Sequence, residues 1–378
     1  MKILIFSLLR LGDTLMHRQI RNGLKAKYPT AKFTWMVNDN LPSVVELIDP
    51  NDEVQFFPRK SLQDIALLKT VPITAPEGIL REWISILQDS TFDLAINLSH
   101  DKVSGYLMSL VNAEKKTGLQ WDGISQWAPM ENSWLRYLND HMQSGSISQY
   151  HYCDLLLQIA EVPAVIQNIR ETKSDVILLQ PFTSDQKKNW SLENWRLLQL
   201  WIEENTSYEA IVVGAPFEEA QLKKVFPAAA IKILGLAELQ NEVKNSKMVI
   251  SGDTAIIHLA ALVGTQSLTL SLGSSDFRKT SAFGPGHFVL SPNTKCKPCH
   301  HSKACTQTSH LCEEDLPPEY AQNLLDHLLN DHHPLKWKKA PVSAFRTGFR
   351  NGFLYLEELS ESKLTMEKDN EGRSSSLL

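Results

Sequence analysis

Ser251-Gly252-Asp253-Thr254-Ala255-Ile256-Ile257-His258-Leu259-Ala260-Ala261-Leu262-Val263-Gly264 is the stretch on which the reading of this chain turns. The apolar run just before it, 248–250 (Met-Val-Ile), reads as a buried strand. Asp253 and Thr254 are residue types that cap the orphan N–H groups at a helix start. Behind them the helix is apolar almost all round, through Ile256, Ile257, Leu259, Ala260 and Leu262, and is expected inside a core. His258 follows Thr254 by close to one helical turn and points toward the same end. A strand, a polar turn and a buried helix with free N–H groups form an anion site, best suited to phosphate. The same residues also read as an ordinary N-capped core helix with a satisfied histidine.

Bulk composition narrows the choice. A chain of 378 residues is long enough for two domains. With 43% hydrophobic and 21% charged residues it has the balance of a soluble globular protein. Its net charge of −5 lacks the basic excess of a nucleic-acid binder, so no nucleic-acid partner is expected. Apolar runs such as 3–9 are far too short to span a bilayer. Residues 1–9 lack a small-residue cleavage site and read as a first strand rather than a signal peptide. A cytoplasmic enzyme is expected.

Strand-like and helix-like runs alternate in both halves, the α/β pattern of parallel sheets flanked by helices. In the first half, 2–9 reads as a strand, 10–13 as a turn, 14–28 as a helix stopped by Pro29, and 32–37 and 92–98 as further strands. In the second, strands are expected at 175–180, 210–213, 231–234, 248–251 and 267–272. Helices fit between them at 192–205, 218–226 and 236–246. Two Rossmann-like, doubly wound domains facing each other across a cleft are expected, at 1–168 and 174–334. Residues 335–362 are expected to return to the first domain, with 346–359 as an amphipathic helix, and 363–378 to be a disordered tail. Ligands of such sheets sit beyond the carboxyl ends of the strands, where 10–13, 183–188, 214–218 and 253–258 fall.

Several residues there can do chemistry. Thr183 and Ser184 are hydroxyl donors in a strand-to-helix turn, and Lys188 follows in the same loop. A lysine facing the N-terminus of the 254–263 helix would neutralise a diphosphate without a metal. A solvated surface lysine is the plainer account. Glu218 follows a strand end, where a carboxylate can accept from ribose hydroxyls or simply sit at a helix start. Asp13 follows Gly12 and reads either as a helix cap or as a general base. Arg10, Arg18 and Arg21 are placed to bind an anionic acceptor. There is no G-x-G-x-x-G after a strand and no G-x-x-x-x-G-K-[ST], which weakens a nicotinamide reading and removes a P-loop. There is no Asp-x-Asp pair to hold a divalent ion. Cys296, Cys299, Cys305 and Cys312 are spaced C-x2-C-x5-C-x6-C, which fits a structural tetrathiolate zinc or iron site, with His300, His301 and His310 as spare ligands. A reduced, metal-free loop is the alternative.

Together these motifs resemble glycosyltransferase family 9, the heptosyltransferase family of lipopolysaccharide core assembly. The similar stretches are Arg10-Leu-Gly-Asp13, 92–98 through Thr117-Gly118, Thr183-Ser-Asp-Gln-Lys-Lys188-Asn-Trp190, Gly214-Ala-Pro-Phe-Glu218, 251–261 and the cysteine spacing. The chain departs from the family pattern at Ala255, at Gly273-Ser-Ser and at Gln180-Pro-Phe. The resemblance implies a GT-B fold with the acceptor on the first domain and the nucleotide sugar on the second. It implies inverting transfer that needs no cofactor at the reacting centre. Asp13 would be the base, and Thr183, Ser184, Lys188, Glu218, Asp253, Thr254, Ala255 and His258 would bind the donor. The expected partners are ADP-heptose and a lipopolysaccharide core acceptor, with peripheral contact at the inner face of the inner membrane. A relative using another nucleotide-activated sugar on a surface glycan or protein, or a silent scaffold, is the alternative.

Overall fold

The computed structural model describes residues 1–67, 75–123, 132–142, 148–330, 335 and 341–359. The expected tail 363–378 lies outside them. The chain divides into two compact units. One comprises 1–148 and 152–165, the other 149–151 and 166–378.

The first unit is built on a five-stranded sheet of order β3-β2-β1-β4-β5. Its strands are β1 (Lys2–Ser7), β2 (Lys32–Asn38), β3 (Glu53–Phe57), β4 (Thr91–Asn97) and β5 (Asn112–Gly118). All neighbours pair in parallel. Helix α1 (Leu11–Lys27) connects β1 to β2. Leu4, Phe6 and Met36 from the sheet pack with Trp83, Leu87, Leu107 and Met108 from the flanking helices.

The second unit carries eight strands in the order β13-β12-β11-β10-β9-β6-β7-β8. They are β6 (Val176–Gln180), β7 (Glu209–Gly214), β8 (Ile231–Ile233), β9 (Met248–Gly252), β10 (Gln266–Leu270), β11 (Phe288–Pro292), β12 (Val342–Arg350) and β13 (Phe353–Glu358). From β8 across to β11 the pairing is parallel. Sheet residues Ile177, Val212, Ile250 and Leu268 pack with Trp195 and Leu198 of the Leu192–Asn205 helix and with Leu324 of the Pro318–Leu329 helix. Near-continuous apolar strands follow from helices covering both faces of a parallel sheet.

The end of the chain corrects the sequence reading. Residues 346–359 are not a helix but strands of the second unit's sheet. β12 and β13 form an antiparallel hairpin added to β11. Its turn is Asn351-Gly352, with φ of 53° and 83°. Two consecutive left-handed residues form the two-residue turn whose twist matches that of the flanking strands.

No helix among the described residues is long and apolar enough to cross a membrane.

Two stability predictions follow from burial. Arg21 donates to both oxygens of Asp52 (2.9 and 2.7 Å) and to Asp49 (2.9 Å), and the Asp52 side chain is only 3% exposed. Arg21→Met strands that carboxylate and should cost about 3–5 kcal/mol in urea denaturation. A loss below 1 kcal/mol would show the pair to be solvated. The second concerns acid. Burial holds His17, His151 and His287 down at about 3, and His100 and His258 at about 4, from an ordinary 6.5. As pH falls the unfolded chain takes up these protons first. Stability is therefore full above pH 6.5 and lost progressively toward about 3. Denaturation midpoints should already drop between pH 6.5 and 5, before carboxylates protonate, and a flat profile there would contradict neutral burial.

Candidate functional site

The second unit gathers its polar residues at the carboxyl ends of β6, β7 and β9. β6 runs into a loop closed by the 3₁₀ turn Gln186–Lys188. Within it, Thr183 N–H donates to Asn189 Oδ1 at 2.8 Å, and Thr183 Oγ1 donates to Asp185 O at the same distance. Gly252, ending β9, lets this loop approach. A Cβ there would lie 2.7 Å from Thr183 Cγ2 and 3.3 Å from Lys188 O. Lys188 reaches across and donates from Nζ to Asp253 O at 2.6 Å, with Asp253 Oδ2 at 3.7 Å. Both side chains are largely withdrawn from solvent, at 16% and 11% exposure. Asp253 Oδ2 also accepts from Thr280 Oγ1 at 3.3 Å.

The Ala255–Val263 helix starts directly after this pair. Thr254 is its N-cap, yet its side chain makes no capping hydrogen bond. The first N–H groups thus lack the Thr254 side-chain partner that the sequence led one to expect, though Ile257 N–H bonds to Thr254 O at 3.2 Å, and a helix start of this kind favours an anion. His258 is buried, and its Nδ1 has no hydrogen-bond partner among the described residues. Burial keeps it neutral, with a pKa of about 4, Asp253 opposing the shift and Lys188 adding to it. An orphaned ring nitrogen, an ammonium and an uncapped helix end converge here. A buried polar atom without a partner costs free energy that a ligand can return. Thr183 and Ala255 are half-buried, and Ser184 is exposed.

Glu218 stands at the end of β7 on a separate 3₁₀ turn, Pro216–Glu218. Its Oε2 accepts from Ala215 N–H at 2.8 Å, and burial raises its pKa. One carboxylate oxygen is therefore committed to the turn.

The cysteines depart from expectation. Among the described residues no group of His, Cys, Asp and Glu side chains is gathered so as to hold a metal ion. Cys299 Sγ turns to the carbonyl of Cys296 at 3.6 Å, and Cys305 is exposed. Cys312 is buried on the short Leu311–Glu314 helix. Burial would raise its pKa, but His310 and the Gly273 N–H outweigh that and hold it low. His310 is correspondingly raised to about 10 by Cys312 and by Glu313, which lies 3.0 Å from its Nδ1. The donors as placed do not fit a tetrathiolate cage. His300 and His301 stack on each other instead, with ring centroids 5.0 Å apart.

In the first unit Asp13 lies in the first turn of α1, half-buried, and its Oδ2 accepts from Arg10 N–H at 3.1 Å. The capping geometry is thus real. Arg10 is exposed. Arg18 is half-buried with Nη1 unpartnered among the described residues, and burial lowers its pKa. Arg21 does not offer itself to an acceptor. Its guanidinium is spent on Asp49 and Asp52, because α1 lies against the segment before β3.

Sequence reasoning missed the buried chain behind Asp13. Tyr152 donates to Leu98 O at 3.0 Å, so its oxygen accepts from His17 Nε2 at 3.1 Å. His17 Nδ1 then faces Ser7 Oγ at 2.8 Å. Burial, then Asp13's negative charge, raise the Tyr152 hydroxyl well above its ordinary range. One signal was present: His17 lies one turn after Asp13 on the same helix.

No curated protein sequence matches the chain. Among solved structures it is similar to the E. coli heptosyltransferase WaaC with ADP, at 18% identity and TM-score 0.57, covering 75% of this chain and 91% of that one. The E. coli ADP-heptose lps heptosyltransferase II is similar at 15% identity and TM-score 0.58, covering 88% and 99%. The family 9 glycosyl transferase from Veillonella parvula DSM 2008 matches at 15% identity and TM-score 0.56, covering 75% and 84%. These likenesses place the two sheets in the GT-B fold of two Rossmann-like domains. The family profile described as glycosyltransferase family 9 (heptosyltransferase) matches residues 81–310, and the chain belongs to that family of glycosyltransferases.

Proposed function

We propose that this glycosyltransferase transfers heptose from ADP-heptose to a lipopolysaccharide core acceptor, with inversion at the anomeric carbon. The observation that carries the donor half is the convergence of Lys188, the uncapped helix start at Ala255 and the unpartnered His258 Nδ1. Solved relatives carry ADP and ADP-2-deoxy-2-fluoro heptose, which favours an adenosine diphosphate donor here. Under this reading the second unit binds the donor. Lys188, the hydroxyl of Ser184, and the N–H groups after Thr254 and Ala255 meet the diphosphate, while Thr183, its proton given to Asp185 O, shapes the loop around it. Asp253 and His258 orient sugar and phosphate, and the free oxygen of Glu218 accepts from ribose hydroxyls.

The first unit then binds the acceptor, with Arg10 and Arg18 toward its anionic groups. Asp13 takes the proton of the attacking hydroxyl as that oxygen bonds to the anomeric carbon. The bond from that carbon to the diphosphate oxygen breaks, through an oxocarbenium-like transition state. Negative charge grows on the leaving group, where preorganised N–H donors and an ammonium stabilise it most. Charge neutralisation by Lys188 and the helix end is the reason the reading needs no divalent ion. Approach to a lipid-linked acceptor would be peripheral, at the inner face of the inner membrane.

Two experiments test this. Thermal unfolding of the full chain should rise with ADP and ADP-heptose, by about 2.7 kcal/mol at a hundredfold excess over Kd. A response confined to another sugar nucleotide would keep the fold and replace the donor. Gln180, which accepts a hydrogen bond from Ser251 where the family has histidine, is the residue that makes this comparison worth running. Asp13→Asn keeps an oxygen to accept from Arg10 N–H, so the helix start should survive. Turnover should nevertheless fall by about 10²-fold or more. Unchanged turnover would remove Asp13 as base, and unchanged cellular function with no turnover would favour a scaffold.

A further inference from the structure

Lys187, the neighbour of the proposed phosphate ligand, points away from it and is fully used. Its Nζ lies within hydrogen-bond distance of His300 O (2.9 Å), His301 O (2.9 Å) and Lys303 O (2.5 Å). An ammonium has three protons, and these carbonyls take all of them. All three belong to the loop between Cys299 and Cys305. The main chain of Lys187 is held as well. Its carbonyl accepts from His310 Nε2 at 2.9 Å. Gly273, at φ +54°, packs so close that a Cβ there would fall 2.0 Å from Lys187 O. Asp185 closes the arrangement, accepting from Lys187 N–H at 3.1 Å and from Ser274 Oγ at 2.5 Å.

The turn so gripped is short. Its own support is two main-chain bonds, Lys188 N–H to Asp185 O and Asn189 N–H to Gln186 O. Turns of this kind have poor hydrogen-bond geometry and rely on outside contacts. Lys188 leaves the turn on the opposite side, toward Asp253 O. Nothing in donor chemistry calls for Lys187, whose protons are spent on carbonyls. We propose that Lys187 is a positioning residue. It fastens the cysteine-bearing loop to the 186–188 turn and so fixes the Lys188 ammonium beside the helix start. The four-cysteine segment thereby becomes a brace for the donor site, whatever the state of its thiols. This rests on the reading of Lys188 as the diphosphate ligand.

A double-mutant cycle on the full chain, read by calorimetric titration with ADP, tests it. Lys187→Met should weaken ADP about tenfold, the size of coupling seen between residues sharing one network. In a Lys188→Met background the same change should alter the affinity by less than about twofold, since no ammonium remains to be placed. A general loss of structure would instead weaken both backgrounds alike. Should Lys187→Met fail to fold, Lys187→Gln, which keeps part of the donor capacity, is read in the same cycle. Wild-type affinity in the single variant, or equal losses in both backgrounds, would overturn the proposal. If Lys188→Met itself leaves ADP binding unchanged, the donor-site reading fails first and this inference with it.

Discussion

A lysine ammonium resting on a main-chain carbonyl organises the second unit. The Lys188–Asp253 contact joins the loop after β6 to the end of β9, two strands that pair side by side in the sheet. Because the acceptor is a carbonyl, the bond leaves two of the three ammonium protons and most of its charge undischarged. The Asp253 carboxylate at 3.7 Å offsets part of that charge and keeps the desolvated lysine tolerable. The outcome is a cation held in place and still able to bind. Remove the close approach at Gly252 and the loop could not lie where Lys188 makes that reach.

The two units use a related device. Each has an acidic residue at a helix start and, about one turn later, a buried neutral histidine: Asp13 with His17, and Asp253 with His258. The histidines end differently. His17 is satisfied on both nitrogens, by Ser7 and Tyr152, and so rigidifies the start of α1. His258 keeps an Nδ1 that is open among the described residues. A closed network makes a histidine rigid, while an open ring nitrogen stays able to bond.

Much of this was legible beforehand, for physical reasons. Parallel strands buried on both faces must be apolar throughout, so β1, β2, β4 and most of β6 to β10 stood out. β3, with exposed Glu53 and Phe56, and β5, with Lys115 and Lys116, lie at the sheet edges and carry no such signature. The strand and helix on either side of Asp253 and Thr254 were readable because an apolar strand, a polar turn and a buried apolar helix are local signals. The roles of Arg21 and Lys187 were not, since their partners lie 28 to 31 and 113 to 116 positions away. The hairpin was missed although Asn351-Gly352 announces it. The amphipathic-helix reading of 346–359 overlooks that turn chemistry, which fixes a hairpin locally.

That hairpin bears on solubility. A β-sheet open at its side presents unpaired N–H and C=O groups on which a foreign strand can template. By lying antiparallel on β11, β12 and β13 shift that vulnerable margin outward, to a strand ending in Glu357-Glu358. The opposite margin is the three-residue β8, with its exposed Lys232. Brevity on one flank and charge on the other both work against edge-to-edge pairing.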